Sequence, residues 1–172
     1  MKIYRGKINP ISEDVVKKLI EEEDVEISED QVPEVILDNE AIIREYLRME
    51  EEISTQARDL IQAKGMSYQE FGKLRRMIAE EKGFETGDKS LLWIANQIIE
   101  CFLINSRVEE VFTEDYTLRK KIAAVFSEHL GIEEQVQKEA KEKIKNLTEG
   151  TPEWELEYQK HYRQIARRKG LL

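Results

Sequence analysis

Apolar residues recur along this chain at intervals of three and four, and this spacing constrains the fold more than any other feature. It is the period of an amphipathic α-helix, in which one face is buried. Val15, Val16 and Leu19 show the pattern near the start of the chain. Three prolines and eight glycines interrupt it over 172 residues. We therefore predict an all-α protein of about eight helices.

Capping residues mark the predicted helix boundaries in the first half. Ser12 is of a type that caps helix N-termini, so we expect a helix to begin there. Pro33 falls in the first turn of the next pattern, where its missing N–H costs little. That pattern continues to Gly65, either as one long helix or as two helices joined near Met49.

Boundaries in the second half follow the same rules. Residues 91–104 are apolar around most of a helical circumference, which predicts a helix buried on several sides. Thr113 is the expected cap of the next helix, which we expect Gly131 to interrupt. Thr151 followed by Pro152 is typical of an N-cap and first helical residue.

The second half of the chain repeats the pattern of the first. A shift of 83 positions (140 − 57) places Ala57 over Ala140 and Ile53 over Val136. Order, caps and apolar positions agree along this shift, which favours a duplication over chance.

The duplication predicts two helical repeats, residues 1–84 and 85–172. Units of this size bury little apolar surface alone, so we expect both to pack as one pseudo-twofold body. Their surfaces differ, because the first repeat has a net charge of −7 and the second −2.

Several sequence strings carry a family likeness. In the first half they are Met1-Lys2-Ile3, Glu50-Glu51, Met66-Ser67-Tyr68 and Ile78-Ala79-Glu80-Glu81-Lys82-Gly83, and in the second Glu133-Glu134 and Gly150-Thr151-Pro152-Glu153-Trp154. These strings resemble the bacterial family called domain of unknown function 507, present as two tandem copies. The resemblance implies a helical bacterial protein and no particular activity.

Composition limits the classes of function. There are 27 Lys and Arg residues against 36 Asp and Glu, a net charge of −9, which disfavours a general nucleic-acid binder. No apolar run approaches the roughly 20 residues of a membrane span, and the first ten residues lack a secretory signal. The single cysteine, Cys101, forms no internal disulfide. We expect a cytoplasmic protein without membrane contact, metal or cofactor.

Two acidic pairs occupy equivalent positions of the repeat, Glu50 with Glu51 and Glu133 with Glu134. A pseudo-twofold axis that brought them together would resemble a di-metal helical bundle. Such sites normally include a Glu-x-x-His motif, which this sequence lacks. A solvated face with ion pairs at helical spacing is the favoured interpretation.

The last predicted helix combines basic and aromatic residues. The basic residues form a candidate interaction surface: Lys160, Arg163, Arg167, Arg168 and Lys169. Basic groups among aromatics suit nucleic-acid binding, whereas cations at a helix C-terminus also complement its dipole. Helical spacing favours core positions for the aromatic residues Trp154, Tyr158 and Tyr162, and for Trp93 in the buried helix.

No arrangement typical of an enzyme is present. Cys101 lies within the most apolar helix, and neither His129 nor His161 belongs to a recognisable catalytic motif. The acidic run 21–24 is typical of a solvated helix end, with attraction of a basic partner as the alternative. We predict a non-catalytic protein-interaction or structural module with an unknown protein partner. A nucleic-acid-associated factor and a carboxylate metal-binding protein are the alternatives.

Overall fold

The computed structural model describes residue 3 and residues 5–168, without the side chains of residues 88 and 133. Six α-helices account for most of this part of the chain. They are α1 (Ile8–Glu21), α2 (Val32–Lys64), α3 (Phe71–Glu81), α4 (Ser90–Ile104), α5 (Asp115–Lys143) and α6 (Pro152–Arg168). None of these helices is long and apolar enough to cross a membrane.

The predicted number of eight helices was wrong because neither the alternative break near Met49 nor the expected break at Gly131 occurs. α2 is one helix of 33 residues that runs through Met49 to the left-handed C-cap Gly65. α5 is one helix of 29 residues that continues through Gly131. A glycine inside a helix costs only about 1 kcal/mol relative to alanine, and buried residues on both sides of Gly131 offset that cost.

Two short strands, which the all-α prediction did not include, form an antiparallel ribbon. β1 (Val25–Ile27) lies between α1 and α2, and β2 (Val108–Val111) lies between α4 and α5. Val25 pairs with Val111 and Glu26 with Glu110, before a bulge near Ile27. Strands this short leave little periodicity in a sequence, so the helical pattern on either side obscured them.

Two of the predicted caps were also wrong. α1 begins at Ile8, so Ser12 lies inside the helix and is fully buried. The hydroxyl of Thr113 donates to Asp24 at 2.6 Å instead of capping α5. The cap of α6 is confirmed, because the Thr151 hydroxyl accepts a hydrogen bond from the backbone N–H of Trp154 at 3.2 Å.

Four helices form the centre of the molecule. α1 and α4 each pack against both long helices, α2 and α5, which places the two short helices at opposite corners of a bundle. α3 packs on α2, and α6 packs on α5. The helix–strand–helix–helix order of the first half therefore recurs in the second.

The main hydrophobic core contains residues from both halves of the chain. Tyr46 from α2, Phe84 after α3 and Trp93 from α4 make mutual ring contacts with centroids 4.9 to 5.6 Å apart. A smaller apolar cluster joins α5 to α6 around Val136 and Ile165. The two halves thus share one principal core, with α6 held by a satellite cluster.

Buried positions in α1 and α4 match at the same spacing of 83 residues. In three pairs of residues, the two members are 83 positions apart (94 − 11) and each is at most 2% exposed. The pairs are Ile11 with Ile94, Val15 with Ile98, and Leu19 with Phe102. The same faces of the two short helices therefore contribute to the core.

Asn39 is a polar residue in this core. It is fully buried, and neither its amide nitrogen nor its amide oxygen has a hydrogen-bond partner among the described residues. The corresponding position in α5 is Ile122, which is equally buried. Because a buried unpaired amide costs about 1–3 kcal/mol, we expect Asn39→Leu to raise the unfolding free energy by about 1–2 kcal/mol in urea titrations.

Asn9 provides the matched control for this prediction. Its side-chain amide donates to Glu40 at 2.9 Å, so Asn9→Leu removes a made hydrogen bond and should lower the unfolding free energy. A loss of stability in Asn39→Leu would contradict the prediction and indicate that Asn39 holds an ordered water.

Candidate docking groove

An open groove lies beside the ribbon, between the end of α1 and the residue that follows β2. Its volume is about 490 Å³. The lining residues are Ile20, Glu23, Val25, Glu26, Ile27 and Phe112. Most of the lining comes from the first half, and Phe112 comes from the second. Packing of the two halves therefore completes the groove by placing Phe112 beside it.

The floor of the groove is apolar, and the one aromatic ring among its lining residues, that of Phe112, is exposed. Val25 and Ile27 are buried, and Ile20 packs against the main core from a half-buried position. Phe112 is 58% exposed although its backbone N–H donates to the carbonyl of Asp24 at 2.9 Å. The Phe112 ring therefore stays exposed at the groove while its backbone is held by the ribbon.

The ribbon brings two acidic segments together. Residues 21–30 contain seven acidic residues and no basic residue. Residues 109–115, which contain β2 residues and the start of α5, have four acidic residues and no basic residue. Pairing of the strands concentrates these charges at one end of the bundle.

Lys121 of α5 neutralises part of this charge. Its ammonium group lies 2.7 Å from the nearer carboxylate oxygen of Asp24 and 2.6 Å from Glu22. Hydrogen bonds to Asp24 and Glu22 raise the pKa of Lys121. Asp24 is buried and also accepts from Thr113. These residues fasten the first half to the second and serve the fold.

Other acidic side chains of the ribbon have no such role. Within the described part of the chain, Glu23, Glu26, Glu109 and Glu110 form no side-chain hydrogen bond or ion pair, and all four are exposed. Glu23 and Glu26 line the groove directly. The groove therefore has a rim of uncompensated negative charge.

Glu23 occupies a backbone position that is unfavourable for its residue type. Its φ is +57°, in the left-handed region that favours glycine. The backbone N–H of Asp24 donates to the carbonyl of Leu19 at 2.8 Å, and the backbone N–H of Glu23 donates to the carbonyl of Ile20 at 3.0 Å. These two hydrogen bonds form the Schellman motif of a helix C-terminus. Glutamate there adds negative charge at the negative end of the helix dipole.

The cross-strand pair Glu26–Glu110 is similarly unfavourable. These two residues lie directly opposite each other in the ribbon, and like charges in that arrangement destabilise a strand pair. Local rules of stability are thus broken at two residues that line one groove. Natural sequences concentrate such exceptions at functional sites.

The corresponding region of the second half has a different charge. Arg107 lies 3.4 Å from Asp38. Arg107 is 83 positions after Asp24 (107 − 24), and Asp38 is 83 positions before Lys121 (121 − 38). The two ion pairs occupy equivalent places with their charges reversed, and each joins one half to the other.

The two predicted acidic pairs differ, because the pair of the first half is engaged in ion pairs with arginine. Glu50 accepts from Arg75 and Glu51 from Arg58, each at 2.7 Å. Glu134 is exposed on α5, and the side chain of Glu133 lies outside the described part of the structure. No group of three His, Cys, Asp or Glu residues among those described is arranged to hold a metal ion.

The basic residues of α6 do not form a single cluster of unpaired charge. Lys160 pairs with Glu157 at 3.1 Å and Arg168 with Glu139 at 2.9 Å. Arg163 and Arg167 are exposed on the same helix. Lys169 lies outside the described residues.

The predicted core aromatics are all half-buried. Trp154 stacks on Tyr158 with centroids 4.9 Å apart. Tyr158 and Tyr162 pack against the satellite cluster between α5 and α6, whereas Trp93 contacts the main core. The rings of α6 therefore face α5.

Sequence reasoning identified the acidic run but missed the groove. The strands correspond to the alternation Val25-Glu26-Ile27 and the string Val108-Glu109-Glu110-Val111, which are too short to define a period. They do not reveal that Phe112 lies beside Glu23, because that proximity depends on how the two halves pack.

One comparison with known proteins identifies a family. The model for the family described as "Protein of unknown function (DUF507)" matches residues 1–171 as a single continuous span. The family unit is thus the whole chain, and no separate match to each half is found. No protein of curated function matches this sequence. The chain belongs to the DUF507 family.

Proposed function

We propose that this chain is a non-catalytic protein-interaction module and that the groove beside the ribbon is its docking surface. One observation carries the proposal. Glu23 and Glu26 line an open apolar groove, and both occupy positions where another residue would be more stable. A structural role for these glutamates does not account for the stability that they cost.

The docking surface is proposed to depend on an internal duplication. Repeats 1–84 and 85–172 share element order, equivalent buried positions and equivalent ion pairs with reversed charge. We propose a bacterial, cytoplasmic protein in which the first repeat has become acidic for binding while both repeats maintain the common core.

The two alternative functions have less support. A nucleic-acid surface on α6 would require free aromatic rings for stacking, but Tyr158 and Tyr162 pack against α5. A carboxylate metal site would require Glu50 and Glu51 to be available, and both are ion-paired with arginine.

Site-specific photo-crosslinking tests the proposal. A benzophenone amino acid at Phe112 is expected to give a discrete protein adduct in cells that express the protein. The matched control is Leu156, an apolar residue of α6 that is 70% exposed. Adducts at position 112 that disappear when Glu23 and Glu26 are replaced by glutamine would support docking in the groove. Equal labelling at both positions, or nucleic acid as the adduct, would contradict it.

A further inference from the structure

We infer that the groove beside the ribbon binds an arginine side chain presented by a basic segment of a partner protein. This inference rests on the proposed function, because it names the chemistry of the partner that docks there. It combines three properties of one cavity: an apolar floor, an exposed aromatic ring and an acidic rim.

Charge complementarity identifies the partner as basic. Two segments meet at the ribbon, residues 21–30 and residues 109–115. Together they contain eleven acidic residues and no basic residue. Lys121 pairs with Asp24 and Glu22, and Lys17 and Lys18 of α1 lie 3.8 and 3.9 Å from Glu21 and Glu22. The remaining field is negative at Glu23 and Glu26, which line the cavity itself. Such a field attracts cationic segments and repels acidic ones.

The apolar part of the groove favours arginine over lysine. The aliphatic stem of a long cationic side chain covers apolar surface such as Ile20 and Ile27. The planar guanidinium stacks on an aromatic face and binds carboxylates in a bidentate manner, whereas the lysine ammonium is a compact, strongly hydrated charge. Phe112 supplies the aromatic face, and Glu23 and Glu26 supply the carboxylates.

A second copy of this chain is the competing occupant. The net charge of −9 opposes self-association through an acidic surface. In the basic helix α6, Lys160 and Arg168 already pair with acidic residues of their own chain. A separate basic partner therefore complements the groove better.

Peptide binding to the full chain tests this inference. The probes are three fluorescein-labelled twelve-residue peptides in which arginine, lysine or glutamate alternates with leucine and glycine. Fluorescence anisotropy is recorded at low and moderate salt. We expect the arginine peptide to bind at least fivefold more tightly than the lysine peptide, the glutamate peptide not to bind, and affinity to fall as salt rises.

Variants locate the binding and separate it from net charge. Glu26→Lys is expected to lower the affinity for the arginine peptide at least tenfold, and Phe112→Ala is expected to lower it at least threefold. Glu142→Lys on α5 is the matched control, because it changes the net charge by the same amount as Glu26→Lys. Glu142 is exposed and distant in sequence from the ribbon. It should change the affinity less than twofold, and circular dichroism should show all variants folded.

Three results would overturn the inference. They are equal affinity for the arginine and lysine peptides, equal weakening by Glu26→Lys and Glu142→Lys, and dimerisation of the chain that Glu26→Lys abolishes. Failure of the inference remains distinct from failure of the proposed function. A discrete protein adduct at position 112 without arginine preference would retain the docking surface and reject only this partner class.

Discussion

Replacing Phe126 with alanine is expected to lower the unfolding free energy by about 3–5 kcal/mol, the range found for phenylalanine truncation in cores. Phe126 of α5 is fully buried in the core that both halves share. Truncation removes apolar contacts and leaves a cavity that rigid helices fill poorly. Urea unfolding followed by circular dichroism measures the change.

Phe112 is the matched control for Phe126. It is the same residue type in the same half, but it is 58% exposed at the groove. Phe112→Ala should change the unfolding free energy by no more than about 0.5 kcal/mol. A large loss of stability in Phe112→Ala would show that the ring belongs to the core and would contradict its assignment to docking.

Asp24→Ala is expected to destabilise the protein by about 2–3 kcal/mol, because it removes a buried charged acceptor from its partners. Asp24 accepts from Thr113 and Lys121 of the second half and is 2% exposed. The loss should appear as a lower urea midpoint with an unchanged slope.

The ion pair between Asp38 and Arg107, which also joins the two halves, provides the comparison. Asp38 contacts Arg107 at 3.4 Å and accepts from Asn105, and its side chain is 34% exposed. Exposed ion pairs are worth about 0–1 kcal/mol, so Asp38→Ala should cost less than about 1 kcal/mol. Equal effects of Asp24→Ala and Asp38→Ala would contradict the structural role assigned to Asp24.

Helical periodicity predicted the elements whose buried faces extend over several turns. The buried face of α1 follows directly from the spacing of residues such as Val15 and Leu19. The prediction that α4 is buried on several sides was wrong, because Leu92 and Leu103 are exposed. Breaks and caps were less predictable, because packing overrides local preference. Gly131 remains helical within α5, and Ser12 is buried inside α1. The ribbon was missed because three or four residues give no measurable period.

The candidate site was only partly predictable for the same reason. The acidic run 21–24 is evident in the sequence, whereas its neutralisation by Lys121 depends on contact between residues 97 positions apart. Likewise, nothing local to Phe112 indicates that its ring lines a cavity with Glu23. A pattern of charge predicts a surface, and tertiary packing decides which part of that surface is paired.

In the proposed docking surface, the glutamates of the groove serve a partner and lower the stability of the fold. The most direct test is the unfolding free energy of the double variant Glu23→Gly, Glu26→Lys. Glycine relieves the left-handed strain at position 23, and lysine opposite Glu110 converts a repulsive pair into an attractive one. We predict that the double variant is more stable than the natural protein by about 1 kcal/mol in urea titrations. A double variant that is less stable than the natural protein would contradict this account.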